Sequence, residues 1–428
     1  MKTVFYSFVI AILTITASFA QKDLGDGWKI FGQIRLRSEL DGRDFSNSTH
    51  PYTFASSRIR FGVQKSFEGK VILYIQAQDS RVFGSEPGTL KSSANLDLHQ
   101  GYVMLNGLFG WNWLIQAGRF EVVYGTERFF GAVGWNYVGR SFDGIRFVLA
   151  PKVWDLHLFG LTVRESVNYI GNANPGIYPY PQEPTPSHSI YGFWKITRFN
   201  KNQKLDVFGY YDVNREKVIG DTSKLSVGTV GGSYWGTFGR FSTIVEAGYQ
   251  FGSKEGKDLS AYLVSASAYY KTGITKLGLA ADILSGTNPD DQSTKMNTFN
   301  PAYATNHKFY GFMDYFIGIP KNTLNLGLND FYAILFVQPK DSKWEFGANL
   351  HHFMSNKSAN VFLVEEQNSV ETSTFGQELD LTVKYAFVKG TTIVWGNSFF
   401  FQGDLMKAMY FPGEDVAYWT YLMLTASL

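Results

Sequence analysis

Alternation of polar and apolar residues with a period of two runs through most of this 428-residue chain, in segments of about 9 to 13 residues. It is clear in Gln33–Arg37, Arg58–Gln64 and Asp380–Tyr385. In the segment from Phe241 to Gln250, one face carries Phe241 and other apolar residues, and the opposite face is mostly polar. The chain is therefore predicted to consist of β-strands that each have one apolar and one polar face.

A soluble β-sandwich would also alternate, but it would pack its apolar faces into cores of about 100 residues per domain. No linker divides this chain in that way. Charged residues make up only 18% of the chain, and aromatic residues make up 17%. Because a soluble domain has roughly a quarter of charged residues, these values favour lipid outside and water inside the sheet.

The connections between the segments give an independent indication. Strands are predicted near residues 28–40, 53–65, 70–79, 95–106, 113–123, 143–150, 153–162, 188–198, 204–213, 224–234, 239–251, 260–271, 274–284, 324–337, 343–353, 376–388, 391–402 and 415–427. Long connections such as 41–52 and 124–142 alternate with short turns such as 66–69 and 389–390. Outer-membrane barrels have this pattern and an even number of strands. The predicted fold is an all-β transmembrane antiparallel barrel of about 18 strands, formed by residues 21–428.

One segment could be counted as a further strand, from His307 to Gly318. The long connection 354–375 would then fall on the side of the short turns, so we assign 285–323 to one large outer loop. Its aromatic content leaves two alternatives, a loop folded into the lumen or one that stands outside. In the first alternative, the region around Asp314 restricts the opening.

The first twenty residues have the pattern of a secretory signal peptide. Lys2 precedes an apolar stretch from Val4 to Ala17, and the small residues Ser18 and Ala20 place cleavage before Gln21. At the other end, Tyr418, Leu422 and Leu428 belong to an apolar face that ends at the last residue, as expected of the closing strand that the barrel-assembly machinery recognises. We therefore predict export to the outer membrane, with membrane lipid around the barrel.

The polar phase of the strands would line the lumen. Ten of the fourteen arginines precede residue 150, whereas the formal net charge of the chain is only +2. The inward phase brings together Arg35, Arg37, Arg58, Arg60, Arg146, Arg240, Lys271, Lys276, Lys343 and Lys384. Opposing carboxylates include Glu39, Asp206, Glu246 and Asp282. The early arginines indicate a transverse field that suits an anionic solute, although arginine–carboxylate pairs that only stiffen the wall remain an alternative.

Residues 95–147 contain the motifs Gly118-Arg119, Tyr124-Gly125, Arg128-Phe129-Phe130-Gly131, Trp135, Gly139-Arg140 and Phe142-Asp143-Gly144-Ile145-Arg146. This run of motifs resembles the alginate export family of outer-membrane porins. The resemblance implies an eighteen-stranded barrel and passage of an acidic polysaccharide through an arginine-lined pore. By the motifs, the residues carried over are Arg119, Arg128, Arg140, Asp143 and Arg146. Only four arginines follow residue 150, so an anionic or carbohydrate-like solute is the broader expectation.

Patterns for other functions are weak. The chain has no cysteine and none of the common hydrolase, metalloprotease or nucleotide-binding motifs, so no enzyme activity and no cofactor are predicted. Asp155 and His157 share one strand face, and acidic residues of the loops such as Asp290 and Glu365 could bind calcium, but polar pairing and solvation explain them more simply. The small net charge excludes nucleic acid as a partner.

We therefore hypothesise a passive outer-membrane channel for an anionic or carbohydrate-like solute, attracted by arginine and lysine side chains. The alternative is a plugged barrel that acts as an adhesin or surface scaffold through its extracellular loops.

Overall fold

A computed structural model of the chain describes residues 21–46, 51–84, 96–110, 112–164, 187–214 and 224–428. The predicted signal peptide, residues 1–20, lies outside the described residues. Among helices in the described ranges, none has the length and apolar character needed to cross a bilayer.

The strands form a closed antiparallel barrel of 18, which confirms the predicted fold class. They are β1 Trp28–Gly42, β2 Tyr52–Phe67, β3 Val71–Val82, β4 Leu96–Asn106, β5 Trp113–Phe120, β6 Phe142–Leu149, β7 Trp154–Arg164, β8 His188–Asn200, β9 Gln203–Val213, β10 Leu225–Phe238, β11 Phe241–Lys254, β12 Lys257–Thr272, β13 Thr275–Leu284, β14 Leu328–Val337, β15 Trp344–Leu363, β16 Asn368–Val388, β17 Thr391–Gln402 and β18 Val416–Ser427. Each strand pairs with the next along the chain. The barrel closes where β1 pairs with β18, from Gln33 opposite Ser427 to Gly42 opposite Tyr418.

Two further strands lie outside this ring. Gln21–Gly25 forms a hairpin with the start of β1. The two-residue strand Lys295–Met296 pairs in parallel with β12. The only helices of the described residues with α geometry are short, α1 at Ile319–Asn322 and α2 at Asp404–Met409.

Alternating exposure along the strands separates the two faces. On β11, Phe241 is 60% exposed and Tyr249 44%, whereas Glu246 between them is 1% exposed. The apolar phase thus faces lipid and the polar phase faces the lumen, because a closed barrel has only these two faces.

The connections at one end of the barrel, which we call the turn end, are all short turns, such as Asn202 between β8 and β9 or Gly390 between β16 and β17; short turns also occur at the other end, such as 255–256 between β11 and β12. The longer connections lie at the loop end. There two strands are longer than predicted. β15 ends only at Leu363 and β16 already begins at Asn368, so most of the expected connection 354–375 is strand. A turn at 364–367, in which Gln367 has a φ of 52°, joins them. Cross-strand pairing such as Val361 with Val370 accounts for the extension.

The segment from His307 to Gly318 contains no strand. It lies in the connection 285–327 between β13 and β14. This connection and the connection 121–141 between β5 and β6 contribute most of the buried aromatic residues that do not belong to strands, among them Phe130, Tyr310 and Phe316. We call residues 121–141 the first inward loop and residues 285–327 the second inward loop.

Candidate functional site

Four of the predicted arginines lie side by side on the inner face of β1 and β2, because the polar phase of each strand points into the barrel. Arg35 lies opposite Arg58, and Arg60 opposite Gln33, in the register of the two strands. Arg35, Arg37, Arg58 and Arg60, here called the arginine cluster, are between 1% and 4% exposed. Like charges directly opposite each other repel, so other groups must stabilise this arrangement.

The stabilising groups come from the first inward loop. Arg35 donates from Nη1 to the carbonyl oxygen of Gly134 at 2.8 Å and from Nη2 to that of Asn136 at 2.7 Å. Arg58 Nη1 donates to the same two oxygens, at 2.8 and 3.1 Å. Two guanidinium groups therefore converge on two backbone oxygens of one short segment.

The other two arginines of the cluster have carboxylate partners. Arg37 Nε lies 2.7 Å from Glu39 Oε1, and its guanidinium stacks on the ring of Trp135 with 4.3 Å between the Cζ atom and the ring centre. Arg60 Nη1 lies 3.2 Å from Glu121 Oε1. This half of the cluster corresponds to the wall-stiffening alternative.

Glu121 begins the first inward loop and also accepts from His99 Nε2 at 2.7 Å. Burial alone would raise the pKa of the Glu121 carboxyl. The hydrogen bond to His99 and the nearby Arg60 and Arg58 outweigh this effect, so its pKa lies below its ordinary value. Glu121 is therefore held ionised beside the cluster.

The two inward loops are joined to each other. Lys308 Nζ lies 3.0 Å from Glu127 Oε1, and Thr305 Oγ1 donates to Glu127 Oε2 at 2.8 Å. The backbone N–H of Gly131 donates to the carbonyl oxygen of Tyr303 at 2.8 Å. Trp135 stacks on His307 with ring centres 4.2 Å apart. The loops form one body at the loop end of the lumen.

Arg128 connects this body to the barrel wall opposite the arginine cluster. Its Nε lies 3.2 Å from Glu246 Oε2 on β11, and its Nη1 lies 2.8 Å from Asp282 Oδ2 on β13. The contact with Asp282 has the distance of an ion pair but not the angles of a hydrogen bond, since Asp282 has no hydrogen-bond donor. The guanidinium also lies over the ring of Phe309, 3.9 Å from its centre. Arg128 is thus a buried ionic anchor.

Three further predicted residues are held by contacts within the lumen. Arg140 donates to the carbonyl oxygen of Ala304 at 3.1 Å, which adds a link between the loops. Arg146 donates to Gln116 on β5 and lies 3.4 Å from the hydroxyl of Tyr124. Asp314, the predicted constriction residue, accepts from His307 Nδ1 at 2.6 Å and lies 3.7 Å from Arg43 Nη1.

Arg119 and Asp143 are not in the lumen, and the prediction for them is corrected. They pair with each other at 2.8 Å, with side chains that are 36% and 59% exposed. Gln116 and Phe120 on β5 are buried, so Arg119 lies on the other phase and faces outward. Asp143 directly follows the buried Phe142, and the same alternation turns it outward.

At the turn end the lumen contains a cavity of about 920 Å³, here called the turn-end cavity. Seven cationic side chains line it, from Arg198, Lys201, Lys204, Arg240, Lys271, Lys276 and Lys384. Glu345 is the carboxylate among its lining residues, and it pairs with Lys384 at 3.0 Å. Arg240, Lys271, Lys276 and Lys384 thus lie together on this cavity, whereas Lys343 lies outside it and donates to the carbonyl oxygen of Phe387.

Several of these cations are not neutralised. Arg198 pairs with Asp155, and Lys204 lies 3.5 Å from Asp206. Within the described ranges, Lys201, Arg240, Lys271 and Lys276 have no carboxylate at ion-pair distance. Aromatic rings face two of the lysines: Lys204 Nζ lies 3.6 Å from the ring centre of Trp235, and Lys276 Nζ lies 3.9 Å from that of Tyr269. The cavity thus combines positive charge with aromatic surface.

Other candidate chemistry is not assembled. Asp155 pairs with Arg198, whereas His157 hydrogen-bonds to the hydroxyl of Tyr124 at 2.9 Å, so the two do not form a catalytic pair. In the part of the chain that the structure describes, no group of three or more His, Cys, Asp or Glu side chains could hold a metal ion.

The sequence prediction missed the aromatic residues inside the barrel. Tyr124 stacks on Trp194 at 4.7 Å, and Trp194 stacks on Phe208 at 4.1 Å. Trp194 and Phe208 occupy the inward phase of β8 and β9, where Asp206 accepts from Trp194 Nε1. An aromatic residue on a polar phase was the available signal, since such a residue needs a partner inside the lumen.

Comparison with known proteins agrees with this architecture. A family model described as "Alginate export" matches residues 28–410. Among solved structures, Pseudomonas aeruginosa OccD3 (OpdP) has 10% sequence identity and a TM-score of 0.59, over 95% of this chain and 93% of that one. Pseudomonas aeruginosa OccK8 (OprE) has 12% identity and a TM-score of 0.58, over 93% of this chain and 98% of that one. No curated protein matches the sequence.

At such low identity, the structural likeness shows the fold alone. The family match covers most of the chain, as the motifs of residues 95–147 predicted. The family is one of transport proteins, and with the barrel it supports a channel in the outer membrane. The chain belongs to the alginate export family of outer-membrane β-barrel proteins.

Proposed function

We propose that this barrel is a passive channel for an anionic or carbohydrate-like solute, of which an acidic polysaccharide such as alginate is one example. The observation that carries the proposal is the turn-end cavity, where seven cationic side chains face a single lining carboxylate. A low-dielectric wall that bears one sign of charge concentrates ions of the opposite sign. An anion is therefore favoured at this end of the lumen.

The cavity also offers surfaces that suit a sugar. Trp235, Tyr269 and Phe336 are among its lining residues, between the cationic groups. Aromatic rings present apolar faces to the apolar faces of a ligand, and lysine ammonium groups bind carboxylates as point charges. Alternating ring and cation contacts match a solute that has both rings and charges.

The last strand, β18, bears on how the barrel is inserted into the outer membrane. The outward phase of β18 carries Tyr418, Leu422 and Leu424, which are exposed to the surrounding lipid. We assign recognition by the barrel-assembly machinery to this terminal strand.

Current through the purified protein in a planar lipid bilayer tests the proposal. With a potassium chloride gradient across the bilayer, the reversal potential should indicate preference for chloride. A preference for potassium would overturn the anionic solute. Absence of any conductance would overturn the channel.

A plugged barrel that acts as an adhesin or scaffold is the second candidate. It is favoured by the two inward loops, whose buried residues such as Phe130 and Phe316 fill the loop end of the lumen. Absence of conductance in the same experiment would support it.

A further inference from the structure

We propose that the segment from Gly134 to Asn136 is an internal competitor for a carboxylate site formed by Arg35 and Arg58. The inference rests on the proposed function only for the anionic nature of the solute. The barrel would then have a second binding site, distinct from the turn-end cavity. The first inward loop occupies this site, and a solute displaces the loop when it binds.

The geometry of the two oxygens is the first argument. The carbonyl oxygens of Gly134 and Asn136 each accept from both guanidinium groups, at distances between 2.7 and 3.1 Å. A carboxylate has two oxygens that accept in this way from a fork of N–H donors. The loop thus supplies, from two neutral peptide groups, the pair of acceptors that one carboxylate would supply.

Charge is the second argument. Arg37 and Arg60 each have a carboxylate partner, whereas Arg35 and Arg58 have none at ion-pair distance among the described residues. They face each other across β1 and β2 while 2% and 1% exposed. Carbonyl oxygens satisfy their hydrogen bonds but do not neutralise their charge, which a carboxylate would do.

An unsatisfied donor is the third argument. Nε of Arg58 is buried and has no hydrogen-bond partner. Buried polar groups are usually paired, and an unpaired one marks a place where a ligand group can be gained. The site is therefore incompletely satisfied while the loop occupies it.

Contacts of Trp135 and Tyr137 hold the segment in place. The ring of Trp135 stacks between Arg37 and His307, Tyr137 OH donates to Glu39 Oε1, and Ser80 Oγ donates to the carbonyl oxygen of Tyr137 at 2.6 Å. Trp135 connects the segment to both the arginine cluster and the second inward loop. Removal of its ring should weaken the hold of the loop on the site without changing Arg35 or Arg58.

The probe is D-glucuronate, a carboxylate of sugar size, and D-glucose is its neutral counterpart. Glucuronate can bind only while the loop is away from the site, so a loop that occupies the site most of the time weakens the apparent affinity for glucuronate. Trp135→Ala should therefore strengthen glucuronate binding by about tenfold. Calorimetry on the purified barrel measures this change. Trp135→Phe, which retains a ring, is the matched control and should stay near the wild type. The gain should disappear in Trp135→Ala combined with Arg35→Ala and Arg58→Ala.

Hydrogen exchange on the wild-type barrel needs no variant. Saturating glucuronate should accelerate amide exchange in residues 133–138, and glucose should not. Unchanged exchange with glucuronate, an equal response to glucose, or a gain that persists without the two arginines would overturn the proposal.

Neither measurement depends on ion conduction. If the barrel conducts chloride selectively but glucuronate changes neither binding nor exchange as expected, the proposed function stands and this inference is overturned. If glucuronate accelerates exchange in the loop but the barrel does not conduct, this inference stands and the proposed channel is overturned.

Discussion

The lumen has two cationic regions, and the same kinds of side chain serve different ends in them. At the loop end, Arg35 and Arg128 are buried, and both are held by groups from loops or walls. At the turn end, Lys271 and Arg240 line an open cavity without carboxylate partners among the described residues. What separates the regions is the length of the connections: long loops can fold back and satisfy buried cations, and turns such as Gly239-Arg240 cannot.

Positive charge on an inward phase therefore does not by itself define a solute path. Where loops fill the lumen, an arginine contributes to stability, since its desolvation must be offset by partners. Where water remains, a lysine contributes to the local potential and to selectivity. Substitutions in the two regions should therefore affect different measured quantities.

The largest expected difference is in stability. Arg128→Ala leaves Glu246 and Asp282 buried without their cation, and such a loss costs about 3–5 kcal/mol in the free energy of unfolding. Lys271→Ala removes an exposed charge and should change the same quantity by about 0.5 kcal/mol or less. Unfolding in denaturant after reconstitution into detergent measures both.

Arg128→Lys controls for charge without the planar guanidinium group and should lie between the wild type and the alanine variant. If Arg128→Ala and Lys271→Ala lowered the free energy of unfolding equally, the cationic regions at the loop end and at the turn end would not differ as described.

A smaller effect should depend on pH. The pKa of Glu121 lies below its ordinary value of 4.5 in the folded protein, through His99 and the nearby arginines and against the effect of burial. Its stabilising contribution is therefore complete above the unfolded-state pKa and is lost as the pH falls through the folded-state pKa.

Glu121→Gln should lower the free energy of unfolding by about 1–3 kcal/mol at neutral pH, because it removes a carboxylate that accepts charge-assisted hydrogen bonds. Stability curves of the wild type and the variant should converge below the ordinary carboxyl range. A difference that stays constant down to that range would show that Glu121 does not hold the first inward loop through its charge.

Much of the fold could be predicted from the sequence, because alternation has only one register that places a whole face in lipid. The strand from Phe241 to Gln250 shows this: its apolar phase is exposed and Glu246 is buried. The ends of β15 and β16 were not predictable in the same way. Residues 354–375 do not alternate, since 355–358 are all polar and 361–364 are all apolar, and pairing beyond the membrane depends on cross-strand neighbours.

The site was less predictable. Phase assigned Arg35, Arg58, Lys271 and Lys276 to the inner face, but phase contains no information on which of them a loop would cover. The cover comes from backbone carbonyls of Gly134 and Asn136, which have no sequence signature. Motif resemblance misassigned Arg119 and Asp143, since a motif does not state the phase of each of its residues.

We propose that the open turn-end cavity, and not the covered arginine cluster, sets the preference for small anions. Reversal potentials in one potassium chloride gradient test it with three variants, of which the cavity variant and the control each remove three cations and the cluster variant removes two. Arg240→Ala with Lys271→Ala and Lys276→Ala changes the cavity. Arg35→Ala with Arg58→Ala changes the cluster. The exposed turn lysines Lys152, Lys340 and Lys389, replaced together by alanine, are the control.

The cavity variant should move the reversal potential towards that of an unselective pore, while the cluster variant and the control should stay close to the wild type. A large shift in the cluster variant with none in the cavity variant would contradict it.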